Sequence, residues 1–264
     1  MESFRKYGEK PFNIAVIHGG PGVPGYMSPV SSELSELCGV IEPFQSAGTV
    51  DGQVEELKLI LKSKADKPVI LIGHSWGAWL SVIFASENSD YVKKIILISS
   101  GPFDEDYAEN INETRLNRLS EDDAEELNKL KAELNNPNAA NKKDIFKKFG
   151  DLSSKGDYYK RINFNDDILD YQPAVFQTVM REALYLRKSG KLLRMAGRVN
   201  CPVVSIHGDY DPHPYKGVEE TLSKVVKDFK FILLKDCGHY PWNEELAKEN
   251  FFDILKNELI YNSE

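Results

Sequence analysis

Short apolar runs alternate with amphipathic stretches along this 264-residue chain, and two of the runs, Val-Ile-Leu-Ile at 69–72 and Ile-Ile-Leu-Ile at 95–98, are uninterrupted. Together these predict an α/β fold, a mostly parallel sheet of about six strands covered by helices on both faces, because strands buried on both sides lose the alternation of a half-exposed strand. A third observation completes the prediction. After Ser99 the alternation stops, and about 100 residues of polar, charged, helix-like pattern pass before it resumes. An insertion of that size between two strands sits at the strand ends, where ligands bind in such sheets.

In chain order the expected strands are Asn13–His18, Val40–Pro43, Val69–Ile72, Lys94–Ser99, Val203–His207 and Lys230–Leu234. Helices are expected at Ser31–Cys38, Gly52–Lys64, Trp76–Glu87, Gly217–Lys227 and Glu244–Asn257. In the second of these Val54, Leu57, Ile60 and Leu61 recur at three- and four-residue spacing and form one apolar stripe. Within the insertion, Leu116, Leu119, Leu127, Leu130 and Leu134 suggest amphipathic helices ended by Asn135-Asn136-Pro137, and a second helical block spans about Pro173–Arg198. The expected division is a core of 1–101 with 200–264, and a helical cap of 102–199.

Composition narrows the function. Thirty-three basic against 41 acidic side chains leave a net charge of -8, which disfavours a nucleic-acid binder or a basic membrane-surface helix. Mean hydropathy is -0.41, and no apolar run approaches the roughly 20 residues that span a bilayer. The start, Met1 to Lys6, lacks a signal-peptide core. The expectation is a cytoplasmic protein acting on a small-molecule substrate, with no nucleic-acid or membrane partner. Cys38, Cys201 and Cys237 are too few and scattered for a disulfide framework or a zinc site, and read as structural thiols. No His, Asp and Glu set has metal-ligand spacing, so no metal is expected.

The sharpest chemical signal is Gly73-His74-Ser75-Trp76-Gly77, directly after one strand and directly before a helix. This is the G-x-S-x-G nucleophile elbow in its strand–turn–helix context. The turn strains the serine backbone and tolerates only small neighbours, which accounts for the glycines, and it sets the hydroxyl above a helix N-terminus that favours developing negative charge. A serine at neutral pH needs a base. Val203–His207 runs into Gly208-Asp209-Tyr210-Asp211, and Lys230–Leu234 runs into Gly238-His239, so both loops belong to the same sheet rim as Ser75. His239 is the candidate base, with an aspartate to orient it. Asp211, deeper in its loop and before Pro212, is favoured over Asp209. His18 and His207 end strands and are expected to brace loops, His74 lies inside the elbow, and His213 is a rim residue with no assigned role. Backbone N–H groups of Gly20 and of Trp76, the residue after the serine, form the natural oxyanion pair.

The same glycine-rich loop fits a second pattern. Gly20-Pro21-Gly22-Val23-Pro24-Gly25 matches G-x-G-x-x-G, with Glu42 about twenty residues on. A dinucleotide site needs backbone N–H groups and a helix opening at the loop. Pro21 and Pro24 remove two donors, and Pro24 and Pro29 are expected to delay the helix. The letters match but the physics does not, and no cofactor is expected.

His18-Gly19-Gly20-Pro21-Gly22, the Gly73-His74-Ser75-Trp76-Gly77 elbow, His207-Gly208-x-x-Asp211 and Gly238-His239 together resemble the α/β-hydrolase superfamily, in its order and over most of the chain. The H-G-G-P-G loop and the tryptophan after the serine resemble its proline iminopeptidase branch. The resemblance implies Ser75 as nucleophile, Asp211 as triad acid, His239 as base, Gly20 and Trp76 as oxyanion donors, and the insertion as a helical cap. Family members carry an antiparallel hairpin before the H-G-G-P-G strand. Only about twelve residues precede it here, so that hairpin is expected to be missing or trimmed. The elbow also carries His74 where the iminopeptidase branch usually has a second glycine.

Three function classes follow: a serine hydrolase of small esters or amides, including an aminopeptidase variant; a non-catalytic small-molecule binding protein on the same fold; and a nucleotide-dependent oxidoreductase. An aminopeptidase would hold a cationic amine, for which Asp166, Asp167 and Asp170 are candidates, while Tyr158, Tyr159, Phe164, Tyr171 and Phe176 could line an apolar pocket. The charge is polarised within the insertion, -6 over 104–170 and +5 over 171–200. That suggests internal pairing more than an acidic cup, and puts the esterase-like reading ahead.

Overall fold

A computed structural model describes residues 3–162 and 167–260. The expected Asp166 and Phe164 lie outside the described residues. Seven strands form one sheet: β1 (Phe4–Tyr7), β2 (Phe12–Ile17), β3 (Gly39–Pro43), β4 (Val69–His74), β5 (Val92–Ile98), β6 (Val203–Gly208) and β7 (Phe229–Leu234). Their order is β1-β3-β2-β4-β5-β6-β7. All neighbours pair in parallel except β1, which runs antiparallel to β3 with Arg5 opposite Glu42 and Tyr7 opposite Val40. The six parallel strands match the expected six, and the trimmed hairpin proves to be this one antiparallel edge strand. Its four residues, FRKY, carry too weak an alternation to read as a strand; pairing with β3 makes it one.

The helices are α1 (Ser28–Leu34), α2 (Val50–Lys64), α3 (Trp76–Glu87), α4 (Ile111–Leu116), α5 (Glu121–Asn135), α6 (Lys142–Lys155), α7 (Pro173–Lys188), α8 (Lys191–Ala196), α9 (Lys216–Val225) and α10 (Lys248–Ile260). Local chemistry sets their ends. Thr49 caps α2 by accepting from the Gly52 N–H at 3.1 Å, and Ser120 caps α5 from Asp123 N–H at 3.2 Å. α1 begins at Ser28, earlier than expected, because Pro29 falls in the first turn, where its missing N–H has no intrahelical role.

Side chains alternate cleanly across the sheet. Ala15, Ile17, Val69, Leu71, Ile95, Leu97 and Val203 face one layer, packed against α2, α3, α7, α8 and α9. Ile14, Val16, Ile70, Ile72, Ile96, Ile98, Val204 and Ile206 face the other, against α1 and α10. α3 lies under the first layer and is buried nearly all round.

The insertion between β5 and β6 has two kinds of packing. Leu116, Leu127, Leu130, Ile145, Phe149 and Leu152 of α4, α5 and α6 form a small cluster of their own with Leu119. Val179 and Ala183 of α7, with Leu192 and Ala196 of α8, instead join the main core beside α3.

Edge strand β1 is held by a buried acid. Glu42 on β3 is fully buried and accepts from the Tyr7 hydroxyl at 2.6 Å. Burial raises its pKa from 4.5 to about 7, with Asp167 adding to the rise while the Tyr7 bond and Arg5 oppose it. A buried acid with a raised pKa contributes stability below its unfolded value, and that contribution is lost as pH rises through about 7. Glu42→Gln is therefore expected to raise the urea-unfolding free energy at pH 8 by about 1–3 kcal/mol and to change it little at pH 5. Equal gains at both pH values would exonerate Glu42 as the titrating group.

Candidate active site

Ser75 stands between β4 and α3 with φ 52° and ψ -113°, a conformation that L-residues rarely adopt. The backbone there has no room for side chains. A Cβ on Gly73 would run into the carbonyl of Gly77, and one on Gly77 into the carbonyls of Ile17, which ends β2, and of His18 just after it. The Ser75 N–H donates to the Ile98 carbonyl of β5 at 3.0 Å, which pins the elbow to the neighbouring strand. Trp76 opens α3, so its N–H belongs to the first turn and has no intrahelical acceptor. Gly20 sits in the facing loop at φ +30°.

Asp211 and His239 are brought together from the loops after β6 and β7. The His239 Nδ1 lies 2.7 Å from Asp211 Oδ2, and the two residues are 3% and 7% exposed. Asp209 points elsewhere, toward Lys235 at 3.7 Å and the Cys237 N–H at 3.4 Å. Burial alone would raise the Asp211 pKa, but the imidazoles of His239, His213 and His207 outweigh it and hold the carboxyl well below its ordinary range. Asp211 is thus a carboxylate, an acceptor only. The bonded Nδ1 of His239 must carry the proton, which leaves Nε2 with a free lone pair.

His213, unassigned from sequence, belongs to this group. Its N–H and its Nδ1 lie 2.8 and 2.9 Å from Asp211 Oδ1, and its ring stacks on His239 with centroids 4.5 Å apart. His207 Nε2 donates to the His213 carbonyl at 2.9 Å and lies 3.4 Å from Asp211 Oδ2. The only sequence signal was the two-residue spacing from Asp211, and that does not separate a carboxylate partner from a solvent-facing histidine. Asp211, His213 and His239 also gather their ligand atoms within 4.8 Å of one another, so they could hold a metal ion. In this arrangement both carboxylate oxygens of Asp211 already accept from the Nδ1 atoms of His213 and His239.

His74 links three loops. The Gly19 N–H donates to the Tyr26 hydroxyl, and that hydroxyl donates to His74 Nδ1 at 2.6 Å. His74 Nε2–H then donates to the His239 carbonyl at 2.8 Å. Burial, reinforced by His239, lowers the His74 pKa well below its ordinary value, so the ring is neutral and can serve as acceptor on one nitrogen and donor on the other.

The insertion closes over both sides. The His239 N–H donates to the Asp157 carbonyl at 2.8 Å, and the Asp157 carboxylate takes a two-pronged bond from Arg115 at 2.6 and 3.0 Å. Buried Glu244 accepts from the N–H groups of Gly238, Tyr159 and Lys160 at 2.8, 2.8 and 2.7 Å. At the other side Gln172 N–H donates to the Gly22 carbonyl at 2.8 Å, and Leu169 N–H to the Pro24 carbonyl at 3.0 Å. Gly22 and Gly25 therefore face backbone of 167–172, which occupies the space a bound pyrophosphate would need. Of the acids considered for an amine, Asp167 pairs with Arg5, and Asp170 with Lys143 at 2.7 Å. Tyr158 stacks on Tyr240 at 5.0 Å, while Tyr171 and Phe176 pack on Phe146 inside the insertion.

Removing the Tyr26 hydroxyl would strand the Gly19 N–H and His74 Nδ1. Tyr26→Phe is expected to cost about 1–3 kcal/mol in denaturant unfolding; a loss within error of zero would mean that the relay carries no stability.

Comparison with known proteins bears on the fold. The sequence matches none of the curated proteins. Among solved structures, the chain is similar to VinJ, with 17% identity, 97% of this chain and 93% of the other covered, and a TM-score of 0.67. It is similar to a meta-cleavage product hydrolase from Pseudomonas fluorescens IP01, with 17% identity, coverage of 97% and 94%, and a TM-score of 0.65. It is also similar to Est816, an N-acyl homoserine lactone degrading enzyme, with 12% identity, coverage of 96% and 95%, and a TM-score of 0.64. At these identities the likeness is one of fold. A family model described as the alpha/beta hydrolase fold matches residues 16–244. The chain belongs to that family.

Proposed function

We propose that this protein is a serine hydrolase that cleaves a small ester or amide through an acyl-enzyme. The observation that carries the reading is the buried Asp211–His239 pair at 2.7 Å, joined through His74 to the strained Ser75 elbow. Ser75 Oγ attacks the substrate carbonyl while His239 Nε2 takes its proton. The N–H groups of Gly20 and Trp76 receive the oxyanion. As the tetrahedral intermediate collapses, the proton passes from His239 to the leaving group. Water, deprotonated by the same imidazole, then releases the acid and restores Ser75. Asp211 keeps His239 in the tautomer that leaves Nε2 basic, and His213 and His207 hold Asp211 in place.

Residues 102–199 act as the cap, with α4, α5, α6 and the segment around Asp157–Ile162 over the site, while α7 and α8 serve as part of the core layer. An ester or simple amide is favoured over the N-terminal amine of an iminopeptidase substrate, because Asp167 and Asp170 already have basic partners. All reacting groups come from the chain, so the chemistry calls for no added cofactor.

A fluorophosphonate probe tests the reading. Wild type should label at one probe per chain, and Ser75→Ala should abolish labelling while keeping the fold by circular dichroism. His239→Ala should slow labelling by at least about a hundredfold, the scale of a lost general base. Folded wild-type protein that stays unlabelled would point instead to a binding protein.

A further inference from the structure

His213 brings a second imidazole to the side of His239, and support of Asp211 uses only half of that ring. Asp211 Oδ1 already accepts from the His213 backbone N–H at 2.8 Å, Oδ2 accepts from His239 at 2.7 Å, and His207 Nε2 stands 3.4 Å from Oδ2. The His213 ring adds one more bond, from Nδ1 at 2.9 Å, and that bond fixes where its other nitrogen lies.

Both Nδ1 atoms face the one carboxylate, and the two rings stack with centroids 4.5 Å and planes 29° apart. In an imidazole Nε2 lies across the ring from Nδ1, so both Nε2 atoms sit on the edge turned away from Asp211. The His213 side chain is 18% exposed while that of Asp211 is fully buried, so the open edge of His213 is the one that carries Nε2. Among the described residues, Nε2 of His213 and Nε2 of His239 have no hydrogen-bond partner, yet neither is sealed as His18 Nε2 and His207 Nδ1 are. Ser75 is also partly exposed, so all three groups open on space that solvent reaches. The chain holds His213 in this pose: Pro212 and Pro214 flank it, and its carbonyl accepts from His207 Nε2 at 2.9 Å.

Asp211 only accepts, so the bonded Nδ1 of His213 carries the ring's proton and Nε2 is a bare acceptor. Burial lowers the His213 pKa against the pull of Asp211, so the ring is neutral at neutral pH. Two bare acceptors side by side match a donor with two protons on one atom. A water that donates both protons, through bonds of about 2.8 Å set about 105° apart, has its acceptors about 4.4 Å from each other. The stacked rings, with centroids 4.5 Å apart, offer that spacing. An alcohol leaving group carries only the proton that His239 gives it and leaves the second acceptor unused.

We propose that His213 Nε2 orients the water that hydrolyses the acyl-enzyme, by accepting a hydrogen bond from the proton that His239 does not take. The inference deepens the serine-hydrolase reading and rests on it. The water oxygen bonds to the acyl carbon, one proton passes to His239 Nε2, and the other stays on the oxygen, directed at His213. As the intermediate collapses, the bond to Ser75 Oγ breaks, the His239 proton goes to Oγ, and the acid departs with the hydrogen that the oxygen kept. His213 gains and loses no proton. Its acceptor favours water over nucleophiles that bring a single O–H, and so biases the acyl-enzyme toward hydrolysis and against transfer to an alcohol.

Turnover of p-nitrophenyl butyrate in buffer containing methanol tests this. The acyl-enzyme partitions between the two nucleophiles, and the readout is the ratio of methyl butyrate to butyric acid formed by wild type, His213→Phe and His213→Leu. Methanol has no second O–H to offer His213, so both variants should raise the ratio about tenfold, the scale of one lost hydrogen bond. Weaker support of Asp211 slows both nucleophiles and cancels, and a lower yield of folded protein leaves the ratio untouched, because only acyl-enzyme that has formed is counted. Phenylalanine keeps the stack on His239 and leucine does not. A rise in His213→Leu alone would assign the effect to the stack and overturn the proposal. An unchanged ratio in both variants would overturn it too and leave the hydrolase reading standing. Wild type that forms neither product and is not labelled at Ser75 would overturn both.

Discussion

One neutral histidine, His74, sets the relation among the loops that carry the candidate site residues. Its Nδ1 takes the Tyr26 hydroxyl proton and its Nε2–H goes to the His239 carbonyl, so the loop at Gly19, the end of β4 and the loop at His239 are held by one ring. The relay works only while His74 is uncharged, since a protonated Nδ1 could no longer accept. Burial among Tyr26, Tyr240 and Trp242 keeps it so. The ring is also the residue immediately before the strained Ser75, so the force that positions the loops acts next to the least comfortable backbone in the site. Strain of this kind persists only where surrounding structure over-determines it. The carbonyls of Ile17, His18 and Gly77 crowd the two glycines that flank Ser75 and leave no space for a side chain at either.

The electrostatics of the site turn on one carboxylate and several imidazoles. Asp211 is buried, where a charge is costly, and is kept ionised by donors from His239, His213 and the His213 backbone, with His207 close by. Each histidine in turn has its proton placed by what it bonds. A carbonyl fixes the donor nitrogen of His207, another fixes that of His74, and Asp211 fixes those of His239 and His213. Burial lowers the pKa of His74, His207 and His213, which prevents a cluster of like charges from forming around His239.

The insertion couples to this site by backbone as much as by side chains. Glu244 collects three N–H groups, one from Gly238 and two from the segment after α6, while Arg115 fixes Asp157 against His239. These contacts bridge the insertion and the rim that carries His239 at positions far apart in sequence. Its two halves differ in physical role: α5 and α6 pack mainly on each other, whereas α7 and α8 help to bury the sheet. The polarised charge of the insertion is used in part across its halves, as in the Arg187–Glu105 pair at 2.8 Å.

The sequence by itself determined the parallel sheet, the elbow and the candidate Ser75, Asp211 and His239, because each leaves a local mark. Buried strands appear as unbroken apolar runs, a strained turn demands glycines at fixed spacing, and a reaching side chain follows a strand end. It did not show β1, whose strand character comes from pairing with β3, nor the early start of α1. Tertiary structure alone decided the partnerships. His74 as the joint between loops and Glu244 as the clip on the insertion depend on groups about 50 to 165 positions apart meeting in space, and such proximity leaves no periodic trace along a chain, while His213 as a second partner of Asp211 depends on how their shared loop folds. The same physics explains why Asp211 rather than Asp209 meets His239: two acids in one loop look alike in sequence, and only the path of the folded loop turns one inward.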